Sequence, residues 1–244
     1  MLISNKISAN ILKRSKENLN LKFFEESVEL EDLNLGFIDI DNTKLKQESL
    51  RMPLLVKEGR IELPKSMNLE ALQDFCDHCI GIQREKSVVH HFWYLTVRIG
   101  MENSRSEAWH ADGFSLRIPH VPEWNYVWSS KIPTEFWMGS VKFPDDFDAK
   151  IFNVHKYIGS QIDAGITSSE LSKEKCVYLI DPYVVHRKQI FDQSLVGCED
   201  RVFVRLSNVP IEIEDDNHTA NPEMERKYYN RVGSKIYDEL RVYK

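Results

Sequence analysis

The chain has 244 residues, 42% hydrophobic and 29% charged, with a formal net charge of −6 and an isoelectric point near 5.8. That composition fits a globular protein with one sizeable core, and the acidic balance argues against the broad basic footprint of a nucleic-acid binder. No run of about 18 apolar residues exists, so no membrane span is expected, and residues 1–21 lack the apolar segment of a Sec signal peptide.

Taken in chain order, residues up to about Ser87 read as mixed and partly helical. The clearest helix runs from Asn68 to Ile82: Asn68 can cap it, and Leu69, Leu72, Phe75, Cys76 and Cys79 recur at helical spacing. The segment from His91 to Ile99 is aromatic and β-branched and ends at Gly100, which predicts a strand. Further strands are expected at Trp109–Ile118, Tyr126–Ser129, Thr134–Met138, Lys175–Ile180, Val184–Ile190 and Arg201–Val209. A helix over Phe147–Ile162 interrupts them, capped by Asp145 or Asp146, with Phe152, His155, Ile158 and Ile162 on one face. The C-terminal segment Pro222–Tyr243 reads as a charged helix. No repeat, low-complexity tract or Pro/Gly/Ser-rich linker divides the chain, so one domain is expected over 1–244. Many short strands without regular helical crossovers predict a mainly β antiparallel barrel or sandwich with flanking α.

The stretch Trp109-His110-Ala111-Asp112-Gly113-Phe114 carries the chemistry. On a strand, residues two apart point to the same face, so His110 and Asp112 can converge on one metal ion. His186, in the apolar and β-branched run Val184-Val185-His186, is the leading third ligand, ahead of His120, His155 and His218. Two imidazoles and one carboxylate form the facial triad of non-haem Fe(II) oxygenases, which leaves coordination positions open. The bland alternative has His110 at a strand end and Asp112 solvated beside it.

The strand from Arg201 to Ser207 places Arg201, Phe203 and Arg205 on one face. Two arginines facing a barrel interior need an anion to offset their burial, and a dicarboxylate supplies bidentate partners. Periodicity alone leaves the reverse equally open, with that face in solvent and Val202, Val204 and Leu206 in the core.

With His110-Ala111-Asp112, the distal His186, and Arg201 and Arg205 downstream, the segment from about Phe92 to Val209 resembles the Fe(II)/2-oxoglutarate-dependent dioxygenases, most nearly the taurine dioxygenase/clavaminate synthase-like branch. The resemblance implies a double-stranded β-helix (jelly-roll, cupin-like) core over 91–210; the helix-rich N-terminal portion over 1–90 and the C-terminal tail and helix over 211–244 are read from the pattern alone. It implies that His110, Asp112 and His186 bind Fe(II). It also implies that Arg201 grips the C5 carboxylate of 2-oxoglutarate, that Arg205 lies near the C1 carboxylate, and that Thr134 helps bind 2-oxoglutarate. The activity implied is hydroxylation of a small polar metabolite such as an amino acid derivative, with O2 consumed and succinate and CO2 released. The same chemistry on a protein or nucleic acid, and a non-catalytic cupin-like binding protein, are the alternatives.

Other features read as structural. Cys76-Asp77-His78-Cys79 has no second CxxC, and both cysteines fall on the apolar face of their helix. Adjacent His90 and His91 would point to opposite faces of a strand. The five tryptophans read as core or pocket wall, and the acidic run from Glu212 to Asp216 as a solvated turn. Four cysteines, with Cys176 and Cys198 far from the first pair, make no disulfide framework, so a reducing, cytoplasmic setting is expected.

Overall fold

The structure, a computed structural model, describes residues 47–64, 70–85, 92–100, 108–112, 123–139, 141, 153–163, 169–180, 182, 184–189 and 201–210. The strands are β1 (Gln47–Lys57), β2 (Arg60–Glu62), β3 (Phe92–Gly100), β4 (Trp124–Ser129), β5 (Thr134–Trp137), β6 (Ser169–Leu171), β7 (Tyr178–Ile180), β8 (His186–Lys188) and β9 (Val202–Val209). The helices are α1 (Glu70–Glu85) and α2 (Val154–Asp163). The strands form two sheets of antiparallel pairs, one ordered β2-β1-β3-β9-β4-β7 and the other β6-β5-β8. The described fold is thus mainly β. Among the described residues no helix is long and apolar enough to cross a membrane.

Alternation along the strands assigns the layers. On β3, Trp93, Leu95 and Val97 join Leu72, Phe75, Cys76, Cys79 and Ile80 of α1 in one core, together with Val202, Val204 and Leu206 of β9. The opposite face of the large sheet contributes Val127, Tyr178 and Ile180 to a smaller core with Phe136 of β5. Beyond the small sheet, Val154, Ile158 and Ile162 of α2 pack on Trp109, Trp137 and Val185. The order through the molecule is therefore α1, large sheet, small sheet, α2. The expected face of α2 is confirmed at Ile158 and Ile162. The expected helix of Asn68 to Ile82 corresponds to α1, and Cys76 and Cys79 are core residues there.

Four expectations change. The N-terminal portion contains β1, an 11-residue strand of the large sheet that the pattern hid because Pro53 interrupts it. Proline suits an edge, and β2 covers only Leu55–Lys57, so among the described residues β1 is paired at Pro53 through β3 alone. The expected strand at Trp109–Ile118 is, over 108–112, a single bridge between His110 and His186, and 113–118 lie outside the described residues. Helix α2 begins at Val154, where Asn153 Oδ1 accepts the Lys156 N–H at 3.0 Å as a cap. The proposed caps Asp145 and Asp146 lie outside the described residues, as does the C-terminal helix. The short, exposed β6 had no pattern to announce it.

Candidate metal centre

Backbone pairing brings the two histidines together. His110 and His186 exchange both main-chain hydrogen bonds, at 3.0 and 2.8 Å. Directly paired residues place their side chains on one face, and the two imidazole centroids lie 4.4 Å apart at 53°. Asp112, two residues beyond His110, reaches the same point: its Oδ2 lies 3.5 Å from His186 Nε2. One ligand atom from each of His110, Asp112 and His186 lies within 4.8 Å of the other two. Among the described residues this is the only such cluster of three, so the Cys76–Cys79 segment makes none. Burial in the α1 core pushes both thiols up, as the structural reading of that segment expected.

Both imidazoles are oriented the same way. His110 Nδ1 lies 2.8 Å from Ala108 O and His186 Nδ1 lies 3.0 Å from Val184 O. A carbonyl oxygen only accepts, so each Nδ1 carries a proton, and Nε2 is the nitrogen each ring has left to offer an ion. Such an outer hydrogen bond fixes the tautomer of a metal-binding histidine. Burial, reinforced by His186, lowers His110 to about 4, so it is neutral at pH 7 and has no proton to lose on ligation. Burial alone would push the Asp112 carboxyl up, but His186, Arg205 and His110 outweigh it and hold it at about 2. A carboxylate and two imidazoles converging on one point are a donor set for a divalent transition-metal ion.

A second set of residues holds Asp112. Asn125 of β4 donates its amide N–H to Asp112 Oδ2 at 2.6 Å. The Ser207 hydroxyl of β9 donates to Asn125 Oδ1, which fixes the way the amide faces. Arg205 Nη1 lies 3.7 Å from Asp112 Oδ1. Asn125 and Ser207 carried no signal in the sequence, because a polar residue in a strand is informative only once its partner is known.

All six expected site residues line or form one pocket. It is bounded by Arg98, His110, Asp112, Val127, Thr134, Ile180, His186, Arg187, Lys188, Arg201, Phe203 and Arg205. Arg201 and Thr134 are each 8% exposed. Arg201 Nε donates to Lys131 O at 3.1 Å, and its guanidinium carbon lies 5.1 Å from the Phe203 ring centroid. The loop that presents Lys131 is strained: Ile132 has φ 56°, a region a β-branched residue rarely enters. Burial and the neighbouring Arg98 lower Arg201 to about 10, which leaves it charged at pH 7. Both open readings of β9 were half right. Val202, Val204 and Leu206 do face a core, yet the arginine face meets the pocket rather than bulk water. His155 sits beside the centre, 5.8 Å between ring centroids from His110, and outside the three-ligand cluster. His120 and His218 lie outside the described residues.

No family model matches the chain, and no curated protein matches it. Among solved structures it is similar to the crystal structure of EvdMO1, with 18% identity and a TM-score of 0.32 over 65% of this chain. The chain spans 38% of that structure's length.

Proposed function

We propose that this protein is an Fe(II)- and 2-oxoglutarate-dependent oxygenase that hydroxylates a small polar metabolite. In this reading the two sheets are the walls of a double-stranded β-helix (jelly-roll, cupin-like) core in a single-domain, cytoplasmic protein. The observation that carries it is the convergence of His110, Asp112 and His186 in a pocket that also presents Arg201 and Thr134. Three ligands on one face of an ion leave room for a chelating 2-oxo acid and for O2. The iron and its cosubstrate, when bound, supply the oxidation, with succinate and CO2 as co-products. Arg201, its Nε engaged by Lys131 O, would direct its terminal nitrogens to the distal carboxylate of 2-oxoglutarate, and Thr134 would donate its hydroxyl there. Arg205, beside Asp112, would lie near the C1 carboxylate. Val127, Ile180 and Phe203 would exclude water from the reacting face.

The test is anaerobic titration of the purified protein with Fe(II) and 2-oxoglutarate, followed by admission of air with candidate substrates. The expected results are the visible absorption of an Fe(II)–2-oxo acid chelate, then substrate-dependent succinate release. A protein that binds neither Fe(II) nor 2-oxoglutarate would falsify the reading. Binding of the metal without the 2-oxo acid would favour a cupin-like binding protein.

A further inference from the structure

The segment that carries two of the three ligands is weakly held by its own backbone. His110 meets β8 through a single bridge, and Asp112 lies in a turn two residues on. A continuous strand would aim residues i and i+2 to one face by itself. A lone bridge fixes His110 and leaves the next peptides to other contacts. The peptide that joins Ala111 to Asp112 is planar. The way its carbonyl points therefore sets the direction in which the Asp112 side chain leaves the backbone.

Helix α2 holds that carbonyl. Ala111 is buried in the core that α2 makes with Trp109 and Val185, and the His155 ring hydrogen-bonds the Ala111 main chain. The bond favours the protonated ring, as a carbonyl acceptor does and an N–H donor would not. His155 Nε2 is buried and has no hydrogen-bond partner among the described residues, so the donating nitrogen is Nδ1. A carbonyl in so buried a segment needs a donor, and this ring supplies one. The base of the side chain is fixed as well, because His155 lies in the first turn of α2, which Asn153 caps. Its ring centroid is 5.8 Å from that of His110.

We propose that His155 is a positioning residue of the metal centre: its Nδ1–H, on the Ala111 carbonyl, locks the peptide between two ligands so that His110 and Asp112 face one ion. His155 stands outside the three-ligand cluster and acts through the backbone. The two supports of Asp112 then come from opposite sides, Asn125 on its carboxylate from the large sheet and His155 on its peptide from α2. This role rests on the metal-centre part of the proposed function and not on the oxygenase chemistry, since any ion held by His110, Asp112 and His186 needs the same aim.

The experiment titrates the whole protein with Mn(II), as wild type and as His155→Ala, His155→Asn and His155→Gln. An asparagine amide nitrogen can stand where Nδ1 stands, whereas a glutamine amide nitrogen reaches toward the place of Nε2. The expected result is an affinity about 10- to 100-fold lower in His155→Ala, largely recovered in His155→Asn and not in His155→Gln. A helix defect predicts the opposite order, since glutamine is the better helix former of the two. The proposal is overturned if His155→Ala binds Mn(II) as the wild type does, if His155→Gln recovers affinity as well as His155→Asn, or if neither recovers it. Should His155→Ala fail to fold, the Asn and Gln variants decide by themselves. Mn(II) uptake by the wild type without 2-oxoglutarate would sink the oxygenase reading and leave the comparison of variants intact. A wild type that takes up no Mn(II) would overturn the metal centre and this role together.

Discussion

At the scale of single residues, the centre depends as much on what holds the ligands as on the ligands themselves. His110 and His186 each give Nδ1–H to a carbonyl two residues upstream, and Asp112 is aimed by the amide of Asn125, itself aimed by Ser207. Removing such an outer partner leaves the ligand in place but free to turn. Asn125→Ala should therefore lower Mn(II) affinity about 10- to 100-fold while leaving the far-UV circular dichroism intact. Unchanged affinity in a titration would refute the positioning role. The ligands were legible from residue type and spacing, because facial chemistry needs those donors. The residues behind them were not, because Asn125 and Asp112 meet only through the packing of β4 against the 108–112 segment.

At the scale of elements, two contacts show local physics meeting tertiary demand. The β1–β2 connection is a two-residue turn in which Glu58 and Gly59 both have positive φ, 48° and 80°. That is the type I′ geometry, which favours Asn-Gly. Arg84 of α1 donates to Gly59 O, and a Cβ on Gly59 would have only to displace the end of that flexible side chain, so it is φ that calls for the glycine. Glu58→Asn, on an exposed residue, should raise stability by roughly 0.5–1 kcal/mol in urea unfolding, since Asn enters the left-handed region at lower cost. The second contact is the Arg187–Glu135 pair at 2.6 Å, which joins β8 to β5 where the register sets them opposite. Burial would push the Glu135 carboxyl up, but the hydrogen bonds from Arg187 and Ser169 outweigh it and hold it below its ordinary 4.5. A depressed carboxyl stabilises the fold above that ordinary value and loses its contribution as pH falls through the folded one. Glu135→Gln should accordingly flatten the acid side of a plot of melting temperature against pH. An unaltered acid limb would show that the pair contributes nothing.

At the scale of the whole molecule, the four-layer order explains why one pocket collects residues from so many strands. The large sheet supplies Arg98, Val127, Phe203 and Arg205, Arg201 enters just ahead of β9, the small sheet supplies Thr134 and His186, and the 108–112 segment adds His110 and Asp112. An ion held across these pieces binds the folded state and not the unfolded one, so it stabilises by mass action. Mn(II) at about 100 times its dissociation constant should add roughly 2.7 kcal/mol. Thermal melts should show this as a rise in melting temperature in the wild type and none in Asp112→Ala. A rise of equal size in that variant would place the metal elsewhere.

The sequence by itself determined the ligand types, the strand and helix periodicities of α1, β3, β4, β5 and β9, and the pairing of two arginines on one face of β9. Each of these is local, carried by residues a few positions apart. Only the tertiary structure decided which face of β9 meets the pocket, that β1 joins the large sheet despite Pro53, and that Arg98, Asn125 and Ser207 belong to the site. A strand's alternation defines two faces but does not say what covers either. Here α1 covers the valine face and the small sheet lies over the arginine face, and long-range packing alone makes that choice.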